Sequence, residues 1–284
     1  MEDDDIAFLK RSSSPEAAAR EARHLGDLQG PGIVALQGVG ADGLELEKAA
    51  CSLADVLHER GPLPDSEVRA VGAAAAAALA RVHDAGLVHG DVKPANLLLS
   101  PNGELWLTDF DAASMADDRP LERFSPGRLP PGAAARPTTD MAALALTLVE
   151  LATGTLLDPE TSWRTVDLRR LGCSPALSAE ISFMLGCDGS TLNAGGAASM
   201  FERAGGSLPE PASKISGADS TPTVEFMPAR SAPSATSARP QGAAAIRRAR
   251  WWQRLAASWR PAPAANPSRS RSQASGSSQA RRSS

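Results

Sequence analysis

Tyrosine is absent from the 284 residues and lysine occurs only four times, so the positive charge is carried almost wholly by arginine. The few lysines therefore carry information where they stand. Cys51, Cys173 and Cys187 are odd in number, far apart and without CxxC spacing, which argues against a disulfide framework or a zinc site. They read as core fillers. No window of 18 apolar residues occurs, and the acidic start MEDDDIAF lacks the basic region and apolar stretch of a secretion leader. The expected compartment is the cytoplasm. With 42% hydrophobic residues, a chain of this length can bury a core in one domain of ordinary size and still carry a tail.

The composition shifts at about residue 205. Residues 206–284 are rich in Ser, Pro, Ala and Arg, with little apolar periodicity, as expected of a segment that buries too little surface to offset its ordering entropy. That tail carries 12 basic and 3 acidic residues, a net +9, whereas the whole chain is −4, so residues 1–205 carry −13. An acidic body joined to a basic tail suits weak self-association or an anionic partner.

Local patterns in the body predict a short mixed region followed by helices. SPEAAAREARHLGDL opens with a Ser-Pro cap and first-turn pair and continues with strong helix formers. GIVALQGV and GLELEKA read as strands. Residues 64–86 begin with Asp and Ser and end in Gly, with an alanine-rich stretch at helical spacing between them. Residues 138–154 are apolar nearly all round, which predicts a helix buried on most sides.

One stretch, LVHGDVKPANLLLSPNGELWLTDFDAA at residues 87–113, sets charge among greasy runs. Two short strands, NLLLS and ELWLTDF, flank a Pro-Asn-Gly turn. They bring the loop with Asp91, Lys93 and Asn96 to the same end as Asp109. Carboxylate and amide oxygens suit Mg²⁺, and an ammonium beside them suits a transferring phosphoryl group. A surface hairpin has no reason to gather all four.

HGDVKPANLLL followed by DFD resembles the catalytic loop and metal-binding motif of Ser/Thr protein kinases, a combination far more specific than either piece. The resemblance implies that Asp91 accepts or orients the substrate hydroxyl proton, that Lys93 contacts the γ-phosphate of ATP, and that Asn96 and Asp109 hold Mg²⁺. REARHL resembles the regulatory helix of the small lobe, with Glu21 in the place of the Glu that pairs a strand lysine. Lys10, in IAFLKR, is the candidate for that lysine. LELEKAACSLADVLHERGPL resembles the hinge and the helix after it, with Leu46 as gatekeeper and the backbone of Glu47 to Ala49 facing adenine. Asp140 resembles the Asp that hydrogen-bonds the catalytic-loop backbone, and LSAEISFML a late helix of the large lobe.

The pattern is broken in several places. No glycine-rich loop precedes Lys10, and only nine residues stand before it. The spacing from Lys10 to Glu21 is short for the family, and Phe8 stands where a small residue is usual. Gly90 replaces the Arg common before the catalytic Asp, which argues against activation through an Arg cluster that reads a phosphorylated loop. Asp111 replaces the Gly of the metal motif and adds a charge. In SPGRLPPG, Pro130, Pro131 and Gly132 stand where Ala-Pro-Glu is expected, so the segment lacks its usual anchoring Glu and is expected to be less rigid.

The fold implied is α+β and protein-kinase-like with two lobes: a truncated small β lobe (about 1–46), a mainly helical large lobe (about 50–205) and a disordered basic tail (206–284). The implied function is ATP-dependent phosphorylation of protein Ser/Thr hydroxyls, with ATP and Mg²⁺ bound. Two alternatives stand beside it: a pseudokinase that binds nucleotide or a partner, and a small-molecule phosphotransferase, which the HGD and DFD spellings also resemble. His24, His58 and His83 share no ligand spacing and read as helix residues. Residues 243–261, AAAIRRARWWQRLAASWRP, would group Trp251, Trp252, Leu255 and Trp259 on one helical face. That face suits an anionic membrane surface or a partner's groove, which adds peripheral attachment at the inner face of the membrane as a second location. Specific nucleic-acid binding is not expected, because the arginines are scattered.

Overall fold

Glu21 is a carboxylate on the apolar stripe of a helix, and much of the architecture bears on how it is satisfied. In the computed structural model, residues 7–40, 43–125, 128–129, 132–157, 167–186 and 192–212 are described. All fall within one compact unit, Met1–Ala235. The amphipathic segment 243–261, most of the basic tail, Cys187, Pro130 and Pro131 lie outside the described residues.

The chain opens with β1 (Ala7–Arg11), then α1 (Pro15–Leu28), β2 (Leu36–Gly40) and β3 (Gly43–Glu47). The three strands form an antiparallel sheet in the order β1-β3-β2, with Lys10 opposite Leu44 and Phe8 opposite Leu46. Ser14 caps α1 by accepting the Ala17 N–H at 3.2 Å, and Pro15 fills the first turn, where its missing N–H costs nothing. Ala17, Ala18, Glu21, Leu25 and Leu28 are the buried positions of this helix. Their spacing follows one helical face. Leu46 is buried at the end of β3, and Lys48 to Ala50 join that strand to the next part of the fold.

Helices dominate the remainder of the body. After β4 (Cys51–Ser52), α2 (Leu53–Arg60) begins with a capping box in which Ser52 and Asp55 each bond the other's backbone N–H. α3 (Asp65–Asp84) presents Val68, Val71, Ala75, Leu79 and Val82 to the core. Then come β5 (Leu87–Val88), β6 (Leu97–Leu99), β7 (Leu105–Leu107), β8 (Ser114–Met115), α4 (Pro137–Thr153), α5 (Pro175–Gly186) and α6 (Ala194–Ala204). β6 and β7 form the predicted hairpin and pair with β4, while β5 pairs with β8. The loop between β5 and β6 and the residues after β7 are thereby fixed at both ends.

α4 is buried along nearly its whole length, as its all-round apolar sequence predicts. α6 packs on α3 where Gly72 leaves room: a Cβ there would stand 2.9 Å from the ring of Phe201. Past α6, Pro209 is buried and the Ala212 N–H is directed at Cys51 Sγ at 3.3 Å. Among the described residues, no helix is long and apolar enough to cross a membrane. The overall class is α+β, as expected.

Candidate active site

Two neighbouring elements and one stretch far along the chain supply the site. α1 brings Glu21, β1 brings Lys10 and the residues after β7 bring Asp109. Lys10 Nζ donates to Glu21 Oε1 at 2.6 Å and to Asp109 Oδ1 at 2.7 Å. Glu21 Oε1 also accepts the Phe110 N–H at 3.0 Å, so the buried carboxylate has two donors. An unpaired carboxylate at this depth would be costly. The short spacing from Lys10 to Glu21 therefore does not prevent their meeting: a tight turn leads from the strand into the helix.

The charges shape one another. Burial disfavours the charged form of Lys10, but Asp109 and Glu21 outweigh it and hold its pKa above the ordinary lysine value. Burial likewise works against the Asp109 carboxylate, and Lys10 outweighs it, holding the pKa below the usual range. Burial pushes Glu21 upward, opposed by Lys10. Asp109 itself sits in the left-handed region at φ 67°, uncommon for a residue with a side chain.

The loop between β5 and β6 forms the second half. Lys93 Nζ donates to Asp91 Oδ2 at 2.7 Å, and Asn96 Nδ2 donates to the Asp91 carbonyl at 2.8 Å and to its carboxylate at 3.2 Å. Asp91, Lys93 and Asn96 are all buried. The two halves are stitched together by the Thr108 N–H, which donates to the Asn96 carbonyl at 3.1 Å directly before Asp109. His89 adds a second stitch: its Nδ1 accepts the Asp91 N–H, which leaves the proton on Nε2 for the Thr108 carbonyl at 2.9 Å. Its ring stands edge-on to Phe110 at 4.9 Å.

Asp140, at the start of α4, holds this loop from below. Its Oδ2 accepts the His89 N–H at 2.8 Å and its Oδ1 accepts the Gly90 N–H at 2.8 Å. His83 Nε2 also meets Oδ2, at 2.9 Å, which gives one of the helix histidines a place in the site's support. Gly90 is required there by its backbone, at φ 80°.

Several participants were not legible as site residues. Ser125 donates its N–H to Asp91 Oδ1 at 2.8 Å, and its hydroxyl lies 3.0 Å from Asp91 Oδ2 and 2.6 Å from Lys93 Nζ. Arg128, three residues on, grips Glu150 of α4 with both terminal nitrogens, the second at 3.1 Å. This is a contact that the expectation of a less rigid segment did not include. The usual Glu is absent, but a fork-shaped guanidinium paired with a planar carboxylate supplies a directional substitute. Asp111 is likewise neutralised, by Arg20 and Arg123. The sequence offers no local signal for these pairings, because each joins residues distant in the chain. The hinge candidates Leu46, Glu47 and Ala49 lie at the end of β3 and in the connection to β4, with the Glu47 N–H spent on the Ala35 carbonyl at 2.9 Å.

Comparison with known proteins bears directly on this arrangement. A family model described as protein kinase domain matches residues 7–170, more than half of the chain. Serine/threonine-protein kinase PknL of Mycobacterium tuberculosis is 42% identical over 96 residues, covering 32% of this chain and 24% of that protein. Serine/threonine-protein kinase F of Synechocystis is 35% identical over 124 residues, covering 40% and 24%. A probable serine/threonine-protein kinase of Clostridium perfringens is 29% identical over 151 residues, covering 48% and 22%. The chain thus spans about a quarter or less of the length of these relatives.

Proposed function

We propose that this chain, which belongs to the protein kinase family across residues 7–170, transfers the γ-phosphoryl group of ATP to Ser or Thr hydroxyls of proteins. The observation that carries the reading is the seat of the Ser125 hydroxyl between Asp91 and Lys93. A serine hydroxyl there meets a carboxylate able to take its proton and an ammonium able to meet phosphate. Substrate hydroxyls would be received by the same two groups.

The remaining roles follow from donor chemistry. Lys10, held by Glu21, would bind the α- and β-phosphates in this reading. Asp109 presents a carboxylate kept ionised by Lys10. Asn96 spends its amide N–H groups on Asp91, which leaves its side-chain carbonyl oxygen as the acceptor for a ligand. One carboxylate and one amide oxygen fit Mg²⁺, which binds few protein groups and completes its shell with water and phosphate. The ion, when bound, neutralises phosphate charge; the chain's own residues orient the partners. Orientation and charge stabilisation supply most of the catalysis in phosphoryl transfer. The backbone of Glu47 to Ala49 would meet adenine, with Leu46 behind it. In this reading residues 1–46 form the small lobe and the helical remainder the large lobe.

The test is transfer from labelled ATP with Mg²⁺ to a generic Ser/Thr protein substrate. The expected result is incorporation that Asp91→Asn abolishes while ATP still raises the melting temperature. Stabilisation by ATP without transfer would replace this reading with a nucleotide-binding module. Label found only on small hydroxyl compounds would replace it with a small-molecule phosphotransferase.

A further inference from the structure

Asp111 divides its two carboxylate oxygens between two separate parts of the molecule. Oδ1 accepts from Arg20 Nη2 at 3.2 Å and Oδ2 accepts from Arg123 Nη1 at 2.6 Å. Arg20 immediately precedes Glu21 on α1, the residue that grips Lys10. Arg123 stands two residues before Ser125, the residue that grips Asp91. A single carboxylate therefore ties the helix behind the phosphate-binding lysine to the segment behind the proton-accepting carboxylate.

The same segment has little for a modifying enzyme to act on. Between Met115 and Phe124 the sequence MADDRPLERF contains no Ser, Thr or Tyr. The hydroxyls at its two ends are already committed to the interior. Ser114 Oγ is buried, and Ser125 Oγ is bound by Asp91 and Lys93. Nor does Gly90, beside Asp91, offer a cation to a phosphate on this segment. A Cβ at that position would stand 3.2 Å from both the Ala112 carbonyl oxygen and Leu121 Cδ2 at a φ of 80°, so a longer side chain there would be strained and would have to push both neighbours aside.

We infer that Asp111 is a positioning residue whose permanent carboxylate cross-braces α1 and the 119–125 segment, so that the site is assembled in the unmodified chain without phosphorylation of that segment. Single ion pairs this exposed contribute little to stability. The consequence lies in placement: Arg20 sets the rotation of α1 and hence Glu21, and Arg123 sets the approach of Ser125. The effect on turnover rests on the proposed kinase activity, whereas the brace itself does not.

Amide hydrogen exchange on protein shown by intact mass to carry no phosphate tests the brace directly. Amides of 119–125 are expected to be protected in the native sequence. Asp111→Asn should speed their exchange about threefold, the scale of losing one partly exposed ion pair, and Asp111→Glu should restore protection. Arg123→Gln should open the segment and leave α1 unchanged; Arg20→Gln should do the reverse. Unaltered exchange in Asp111→Asn, or an unprotected segment in the native sequence, overturns the inference. In the transfer assay, phosphatase treatment should leave the rate unchanged. Asp111→Asn should lower kcat about threefold, from the same lost pair, with recovery in Asp111→Glu. Loss of activity on phosphatase treatment also overturns it. If the native protein transfers nothing, the proposed activity fails and the exchange experiment alone decides the brace.

Discussion

Lys10 and Asp109, separated by 99 positions in the chain, meet at 2.7 Å, and Glu21 closes on the same ammonium from the other side. One cation thus serves two carboxylates, of which Glu21 is almost fully buried. Removing it would leave two like charges facing each other.

Lys10→Met is therefore expected to lower stability as well as nucleotide affinity. Loss of one partner from a fully buried pair costs about 3–5 kcal/mol, and the partial exposure of Lys10 and Asp109 reduces the expected cost to about 2 kcal/mol. Urea unfolding of the variant and the native protein checks the value. Thermal shifts with ATP should show weaker stabilisation in the variant. Equal stability would mean that Glu21 and Asp109 find other partners.

The depressed pKa of Asp109 predicts a pH effect of definite sign. Its ionisation favours the folded state above the ordinary Asp value of about 3.9, and that stabilisation is lost as the pH falls through the lower folded-state value. Asp109→Asn should flatten this acid limb. Glu21, shifted upward by burial, acts in the opposite direction in the range above about 4.3, so the double variant Glu21→Gln, Asp109→Asn is the cleaner reference. Unfolding free energies across the acid range provide the comparison; parallel limbs would refute the assignment.

Asp140→Ala should be severe. It would strip acceptors from the buried His89 and Gly90 N–H groups and from His83 together. Orphaned buried donors cost about 1–3 kcal/mol each. Both stability and transfer should fall. A fold that stays intact while activity falls would place the damage in the loop alone, which exchange at residues 89–91 would show.

Arg128→Glu should loosen the segment around Ser125, and adding Glu150→Arg should recover part of the loss. The coupling expected for this partly buried fork is about 1–2 kcal/mol, measured by a double-mutant cycle in urea unfolding. Limited proteolysis within residues 120–135 gives a second readout. Additive effects of the two changes would remove the anchor assigned to Arg128.

Gly72→Ala should destabilise the packing of α6 on α3, since its new methyl would stand 2.9 Å from the Phe201 ring. Overpacking of this kind costs about 1–3 kcal/mol. Phe201→Leu in the same chain should relieve much of it. The melting temperatures of the three proteins decide the matter.

Legibility in the sequence divides along physical lines. The cap at Ser14, the helical spacing in α3 and the all-round apolar α4 are local properties, and each marks its element in the sequence. Asp91, Lys93, Asn96 and Asp109 were legible because fixed offsets in one hairpin bring them together. α6 was not foreseen, since Gly195 and Gly196 weaken its first turn and its stability comes from Phe201 against Gly72. Arg20, Arg123 and Arg128 resemble any surface arginine until folding brings Asp111 and Glu150 to them. Ser125 gains its role only from the return of the segment to the catalytic loop. For the same reason Asp111 reads as an intrusive charge and Gly132 as a lost anchor, although the structure supplies partners for the first and an alternative to the second.

Asp140 and Glu150 lie ten residues apart on α4, about 15 Å along one rod at 1.5 Å per residue, and each holds a different piece of the machinery. Because that rod is buried along nearly its whole length, the spacing between its two grips is inherited from the core. Lys10 hangs instead from a three-stranded sheet with partly exposed strands. Tolerance to heat or denaturant should therefore differ between the two sides, with the Lys10 end yielding first and the Asp140 end surviving as long as the core does.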